Sequence, residues 1–274
     1  MTDSTRPKVS IHKFSSCDGC QLAFLNLGND LITLTNLIDV KHFAEAGFVD
    51  DNLPEVGGVV DIAFIEGSIS TGAELERIKK IRENSRLLIT IGACATSGGI
   101  QALRNMFDAN AWIEGIYAKP EYIDSLKTVS PIKDHVTVDF EVWGCPVSSD
   151  QIIEVIRSLL SGVMPTDTTE KVCAECKRSQ TVCRMVVNGE ACMGPVTKAG
   201  CGAICPSYGR ACYACYGPSS DSNSTALNNR FQGLGLLPEE VARKYLLFNN
   251  NAPVFNSASR LAVNGTTNSD ENND

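Results

Sequence analysis

The chain has 274 residues, a formal net charge of −8 and 43% hydrophobic residues, enough apolar material to build one large domain or two smaller ones. Nucleic-acid and anionic-lipid binding rest on clustered Lys and Arg, so an acidic chain of this kind is not expected to take either partner. No apolar run approaches the length of a membrane span, and residues 1–8 are polar, with neither a signal-type apolar core nor a twin-arginine pair, so no membrane span and a cytoplasmic location are expected.

Residues 8–14 alternate in polarity and end at Ser15-Ser16-Cys17-Asp18-Gly19-Cys20, after which 21–34 carry apolar residues at helical spacing. This is strand, loop and helix. A second cycle follows: a continuously apolar strand over 59–65, the turn Glu66-Gly67-Ser68, and a charged amphipathic helix over 73–84. A third strand, 87–91, runs into Gly92-Ala93-Cys94-Ala95-Thr96-Ser97-Gly98-Gly99, and a fourth, 136–142, into Trp143-Gly144-Cys145-Pro146. Ser148 with Gln151 three residues on predicts a capping box for a helix over 151–160, which Gly162 and Pro165 then stop. Residues 107–134, interrupted by Pro120 and Pro131, are expected to form a connection lying over the domain.

Apolar strands that alternate with helices belong to a parallel sheet covered on both faces, so residues 8–165 are expected to form a doubly wound α/β domain. Sites in such sheets lie beyond the carboxyl ends of the strands. Cys17, Cys20, Cys94 and Cys145 each follow a predicted strand directly, so the four thiolates are expected to converge on one edge of the sheet and hold one iron–sulfur cubane. For any one of them alone, a buried structural cysteine is the simpler reading.

Residues 173–215 hold eight of the twelve cysteines, Cys173, Cys176, Cys183, Cys192, Cys201, Cys205, Cys212 and Cys215, in the pattern C-x2-C-x6-C-x8-C-x8-C-x3-C-x6-C-x2-C. Eight thiolates at short spacing suit two further cubanes, which divides the twelve into three sets of four. Disulfide frameworks belong to small exported domains and are disfavoured, whereas paired C-x2-C units also build closed zinc sites and leave zinc as the rival. Residues 166–220 are therefore expected to form a small irregular domain binding two clusters. Beyond it, 217–225 reads as a surface loop and Leu237-Pro238-Glu239-Glu240 opens a helix to about residue 248. Residues 249–274 turn to Asn, Ser, Thr and acid and are expected to form a mobile polar tail within a 221–274 C-terminal segment.

Neither G-x-G-x-x-G after the first strand nor G-x4-G-K-[ST] is present, so any nicotinamide or flavin is expected on another chain. His12, His42 and His135 are too scattered in the sequence to suggest a shared metal site. Glu66, at the end of an apolar strand in the layer of the first cluster, is a candidate proton relay or partner contact, set against the simpler reading of a hydrogen-bonded turn acid. With cluster ligands but no nickel ligand set and no acid–base pair, the chain is expected to conduct electrons and to hold no catalytic residue of its own.

Cys17-x2-Cys20, Gly92-Ala93-Cys94, Gly144-Cys145-Pro146 and the eight-cysteine segment with Cys192-Met193-Gly194-Pro195 together resemble the small subunit of nickel–iron hydrogenases, over residues 8–217. The resemblance implies a flavodoxin-like domain whose proximal cluster, on Cys17, Cys20, Cys94 and Cys145, faces a nickel–iron centre in a large subunit, followed by a domain with medial and distal clusters. Exported members usually begin the distal set with a histidine and bind a three-iron medial cluster, whereas Cys173 stands at the histidine position here and the extra cysteines allow three [4Fe-4S] clusters. This looks like the cytoplasmic, NAD(P)-linked or sulfhydrogenase-type branch, with the chain as delta subunit of a heterotetramer beside the large subunit and flavin/NAD(P)-binding and ferredoxin-like subunits. Family order implies Cys173, Cys176 and Cys183 at the distal cluster and Cys192, Cys212 and Cys215 at the medial one. Cys201 is assigned to the medial set and Cys205, in a Cys-Pro pair, to the distal set. A deazaflavin-linked or heterodisulfide-reductase-linked hydrogenase and a zinc-stabilised binding module are the alternatives. A cluster-bearing subunit of respiratory complex I is disfavoured, because that family has adjacent cysteines at the first position and lacks the eight-cysteine domain.

Overall fold

The computed structural model describes residues 6–49 and 59–264. The chain divides into two compact units, Met1–Pro165 and Thr166–Asp274. In the first, the elements run β1 (Lys8–Lys13), α1 (Gly19–Leu25), α2 (Asn29–Leu37), β2 (Asp39–Phe43), β3 (Val60–Glu66), α3 (Gly72–Glu83), β4 (Ser85–Ile91), α4 (Gly92–Ser97), α5 (Ala109–Ile116), β5 (Phe140–Val142) and α6 (Ser149–Leu160). The strands form one sheet in the order β2-β1-β3-β4-β5, and every neighbouring pair is parallel. This is the strand order of flavodoxin-like doubly wound sheets, and it reverses direction between β1 and β3.

The period of two along β3 explains its unbroken apolar run. Ile62 and Phe64 join Val9, Ile11, Phe24, Ile89 and Ile152 in one core, while Ala63 and Ile65 join Phe14, Ile78, Ile81, Leu88 and Ile132 in another. The predicted box at the start of α6 is present: the Ser148 N–H donates to Gln151 Oε1 at 3.0 Å and the Gln151 N–H donates to Ser148 Oγ at 3.2 Å.

Several expectations are corrected. The helix expected over 21–34 is two helices, interrupted at Gly28, which takes a positive φ incompatible with a continuing helix. The fourth predicted strand starts at Phe140, because Asp139 turns its carboxylate into the sheet edge and accepts from the Leu88 N–H at 2.7 Å and Arg82 Nη1 at 2.6 Å. Strand β2 was not expected. Within 107–134 lies α5, whose cap Asp108 accepts from the Asn110 N–H at 3.0 Å.

In the second unit, α7 (Val172–Arg178), α8 (Arg184–Val187) and α9 (Ile204–Ser207) are short pieces among turns, followed by α10 (Ser224–Gln232), α11 (Pro238–Asn249) and α12 (Pro253–Asn264). The mobile tail expected from residue 249 is helical over Pro253–Asn264, because Phe255, Ala258 and Ala262 recur at helical spacing and are buried. The Phe255 ring lies 5.6 Å from that of Tyr245. Residues 265–274 of that expected tail lie outside the described residues. Among the described residues, no helix is long and apolar enough to cross a membrane.

Candidate metal centres

None of the twelve cysteines is joined to another in a disulfide. Those of the first unit sit at the carboxyl ends of parallel strands. Cys17 and Cys20 lie between β1 and the first turn of α1, Cys94 is in α4 directly behind β4, and Cys145 follows β5 with a cis bond to Pro146. Burial pushes the Cys20 thiol far up, with the Glu66, Cys94 and Cys145 charges adding to it. Cys94 is pushed up to about 12 by burial, then by Cys145 and Cys17, and Cys145 is raised by burial and by Cys17. Cys20, Cys94 and Cys145 therefore resist ionising unless a cationic group offsets the charge.

Two glycines mark the room kept beside these sulfurs. A Cβ on Gly92, which has φ +87°, would stand 2.3 Å from Cys20 Sγ, and one on Gly99 would stand 2.6 Å from Cys94 Sγ. Cys94 Sγ donates to Gln101 Oε1 at 3.1 Å, and Gln101 Nε2 donates to the Ser15 carbonyl at 3.1 Å, so one amide ties two of the strand-end loops together. Gln101 was not anticipated, because nothing in its sequence context marks it.

Glu66 is buried at the end of β3, and its Oε1 accepts from the Cys20 N–H at 2.9 Å. Burial raises its carboxyl above the usual range, while the Cys20 N–H works the other way. Its Oε2 and the Gln21 Nε2 are buried and make no hydrogen bond of ordinary geometry. His12 and His42, distant in sequence, stack with ring centroids 4.4 Å apart, and Arg77 Nη2 lies 3.4 Å from His12 Nδ1. Both histidines are buried on adjacent strands, which makes them core residues. His135 sits apart from them, 2.6 Å from Ser130 Oγ.

In the second unit, Cys173 and Cys176 lie on α7 and Cys183 immediately precedes α8. Burial pushes Cys173 up to about 11, helped by Cys192, Cys176 and Cys183, and burial raises Cys176 with Cys192 and Cys183 adding. Cys192, expected with Cys201, Cys212 and Cys215, lies near Cys173. The Val172 N–H bonds the Thr197 carbonyl at 3.0 Å, folding the segment after Cys192 back onto α7, and a Cβ on Gly194 would lie 3.3 Å from Cys173 Sγ and 3.6 Å from Cys192 Sγ. Cys192 also borders the last pair, since its Sγ accepts from the Cys212 N–H at 3.2 Å. Burial pushes Cys212 well up, with Cys192 and Cys215 adding, and the Ala214 N–H points at its Sγ from 3.5 Å. Cys201 is pushed up to about 11 by burial and by Glu175.

Glu175 is the main feature the sequence did not reveal. It lies between Cys173 and Cys176 on α7, is almost fully buried, and accepts from the backbone N–H groups of Gly200, Gly202 and Ala203. Among the described residues, no three His, Cys, Asp or Glu groups close on a single-ion site. All-thiolate donor groups, with glycine space beside Cys20, Cys94, Cys173 and Cys192, fit iron–sulfur ligation.

The family model described as NADH ubiquinone oxidoreductase, 20 Kd subunit, matches residues 17–159. The delta chain of sulfhydrogenase 2 from Pyrococcus furiosus is 33% identical over 242 residues, covering 88% of this chain and 98% of that protein. A vhu-type F420-non-reducing hydrogenase chain from Methanocaldococcus jannaschii is 30% identical over 272 residues, covering 88% of this chain and 93% of that protein. Among solved structures, an NAD+-reducing [NiFe]-hydrogenase in the H2-reduced state has a chain that superposes with a TM-score of 0.53 at 24% identity, covering 60% of this chain and 96% of that one, a likeness of fold. The chain belongs to the 20 kDa oxidoreductase subunit family, as a small subunit of the nickel–iron hydrogenase type. Its relatives are hydrogenase subunits, so the chain is part of an oxidoreductase.

Proposed function

We propose that the chain is the electron-transfer subunit of a cytoplasmic nickel–iron hydrogenase, carrying three [4Fe-4S] clusters between the nickel–iron site of the large subunit and a flavin/NAD(P)-binding partner. The observation that carries this reading is the meeting of Cys17, Cys20, Cys94 and Cys145 from three separate strand ends. Cys17, Cys20, Cys94 and Cys145 hold the proximal cluster. The closeness of Cys192 to Cys173 supports a regrouping of the rest, with Cys173, Cys176, Cys183 and Cys192 as the distal set and Cys201, Cys205, Cys212 and Cys215 as the medial set. When bound, each cluster accepts and returns single electrons at a potential set by burial, charge and hydrogen bonds to sulfur.

The chain's own residues hold and orient that apparatus. Glu66 fixes the amide of Cys20, which favours an anchoring role for this acid over proton relay. Gln101 keeps Cys94 in register with the loop at Ser15. Relatives named as F420-non-reducing give no support to a deazaflavin acceptor. The test is metal analysis of the native complex with identification of its co-purifying subunits. Twelve cysteines at four per cubane predict that this chain contributes about twelve irons and about twelve acid-labile sulfides, in addition to those of its co-purifying subunits, which include a large subunit and a flavin/NAD(P)-binding one. Zinc without sulfide would overturn the reading in favour of a zinc-stabilised module.

A further inference from the structure

Glu175 occupies an unusual place for an acid. Its Oε1 accepts from the N–H groups of Gly200 at 2.8 Å and Gly202 at 3.1 Å, and its Oε2 accepts from that of Ala203 at 3.1 Å. Gly202 and Ala203 both take left-handed conformations, so successive N–H groups turn to one side and make an anion-binding concavity. The carboxylate that fills it comes from the protein itself. It reaches across from α7, which carries Cys173 and Cys176, and its Oε2 lies 3.7 Å from Cys201 Sγ.

Two consequences follow from that geometry. The Ile204 and Ala203 N–H groups face the Cys201 sulfur, and the Ala203 N–H is shared between that sulfur and Glu175. Hydrogen bonds to a ligand sulfur raise a cluster's potential, so an acceptor that draws them away lowers it. The second consequence is direct: a negative charge held at 3.7 Å from a ligand sulfur in a buried setting opposes the arrival of an electron.

Resting on the iron–sulfur reading above, we infer that Glu175 is a positioning residue for the Cys201 loop whose fixed charge holds down the reduction potential of the cluster Cys201 ligates. The charge is tied by three amides and cannot swing away, so it acts as a built-in bias. The two cysteine groups of the second unit are thereby joined through one carboxylate.

The experiment compares Glu175→Gln and Glu175→Asp in the native complex with wild type, by iron and sulfide content and by redox titration followed by EPR. In Glu175→Gln one cluster signal moves to higher midpoint potential while the others stay, and in Glu175→Asp, which keeps the charge, that signal moves less. A midpoint can be read on partly loaded protein, so reduced iron content does not obscure the result. If Glu175→Gln yields none of the affected signal, Glu175→Ala, which also removes the charge, decides: a midpoint displaced upward supports the inference and an unmoved one overturns it. Full iron with every midpoint unmoved in Glu175→Gln also overturns it. Those results leave the cluster reading intact, whereas wild-type protein without iron and sulfide removes that reading as well.

Discussion

Gly92 sits where the backbone passes close to the Cys20 sulfur, and two independent constraints meet on its α-carbon. Its φ of +87° is strained for any L side chain, and a Cβ would stand 2.3 Å from Cys20 Sγ. Gly92→Ala is expected to destabilise the first unit by about 1–3 kcal/mol and to remove roughly a third of the iron, as the proximal set loses its shape. Gly72→Ala is the control, since nothing lies within 4 Å of a Cβ there and its effect on thermal melting should be small. His12 supplies a residue-level pH dependence. Burial holds its imidazole well below the ordinary value of about 6.5, and the His42 and Arg77 charges push the same way. The unfolded chain therefore binds a proton that the folded chain refuses. This contribution is intact above about pH 6.5 and is lost as the pH falls below it. The melting temperature of the wild type should drop further between pH 7.5 and 5.5 than that of His12→Phe, and equal drops would assign the acid sensitivity elsewhere.

At the scale of elements, α12 is where composition misled. Its Asn and Ser content hides a stripe of Phe255, Ala258 and Ala262, and Phe255 is fully buried against Tyr245 of α11. Phe255→Ala should cost about 3–5 kcal/mol, read as a lowered denaturant midpoint of the second unit. Strands β3 and β4 were legible because burial on both faces leaves an unbroken run of large side chains, and β1 through its alternating polarity. Strand β2 was not, since Asp39, Lys41 and His42 interrupt the pattern at a sheet edge. Helix α4, with the sequence GACATS, is too short for periodicity to mark it, and the loop motif that names Cys94 conceals its helical start. The cysteines were legible through their positions after strands. Gln101 and Glu175 were not, because their roles depend on carbonyl and amide groups supplied by remote segments.

Across the whole molecule, the two compact units carry separate sets of cysteines, with Cys17, Cys20, Cys94 and Cys145 in the first and the other eight in the second. Cys94→Ser is therefore expected to abolish hydrogen turnover and one cluster signal while leaving the second unit's EPR signals in place. Loss of every signal together would show that the ligand sets depend on each other.

The parallel sheet also dictates when each set can exist. Parallel strands need long crossovers, so Cys17 meets Cys94 and Cys145 only after β1, β3, β4 and β5 have found their order. Until then these thiols are dispersed along an unfolded chain and chelate nothing together. The eight cysteines of the second unit follow one another within a single stretch, where loop closure is cheap and metal can drive the folding. On the proposed cluster reading, one site must be filled after folding and others can be filled during it, two maturation regimes written into a single polypeptide.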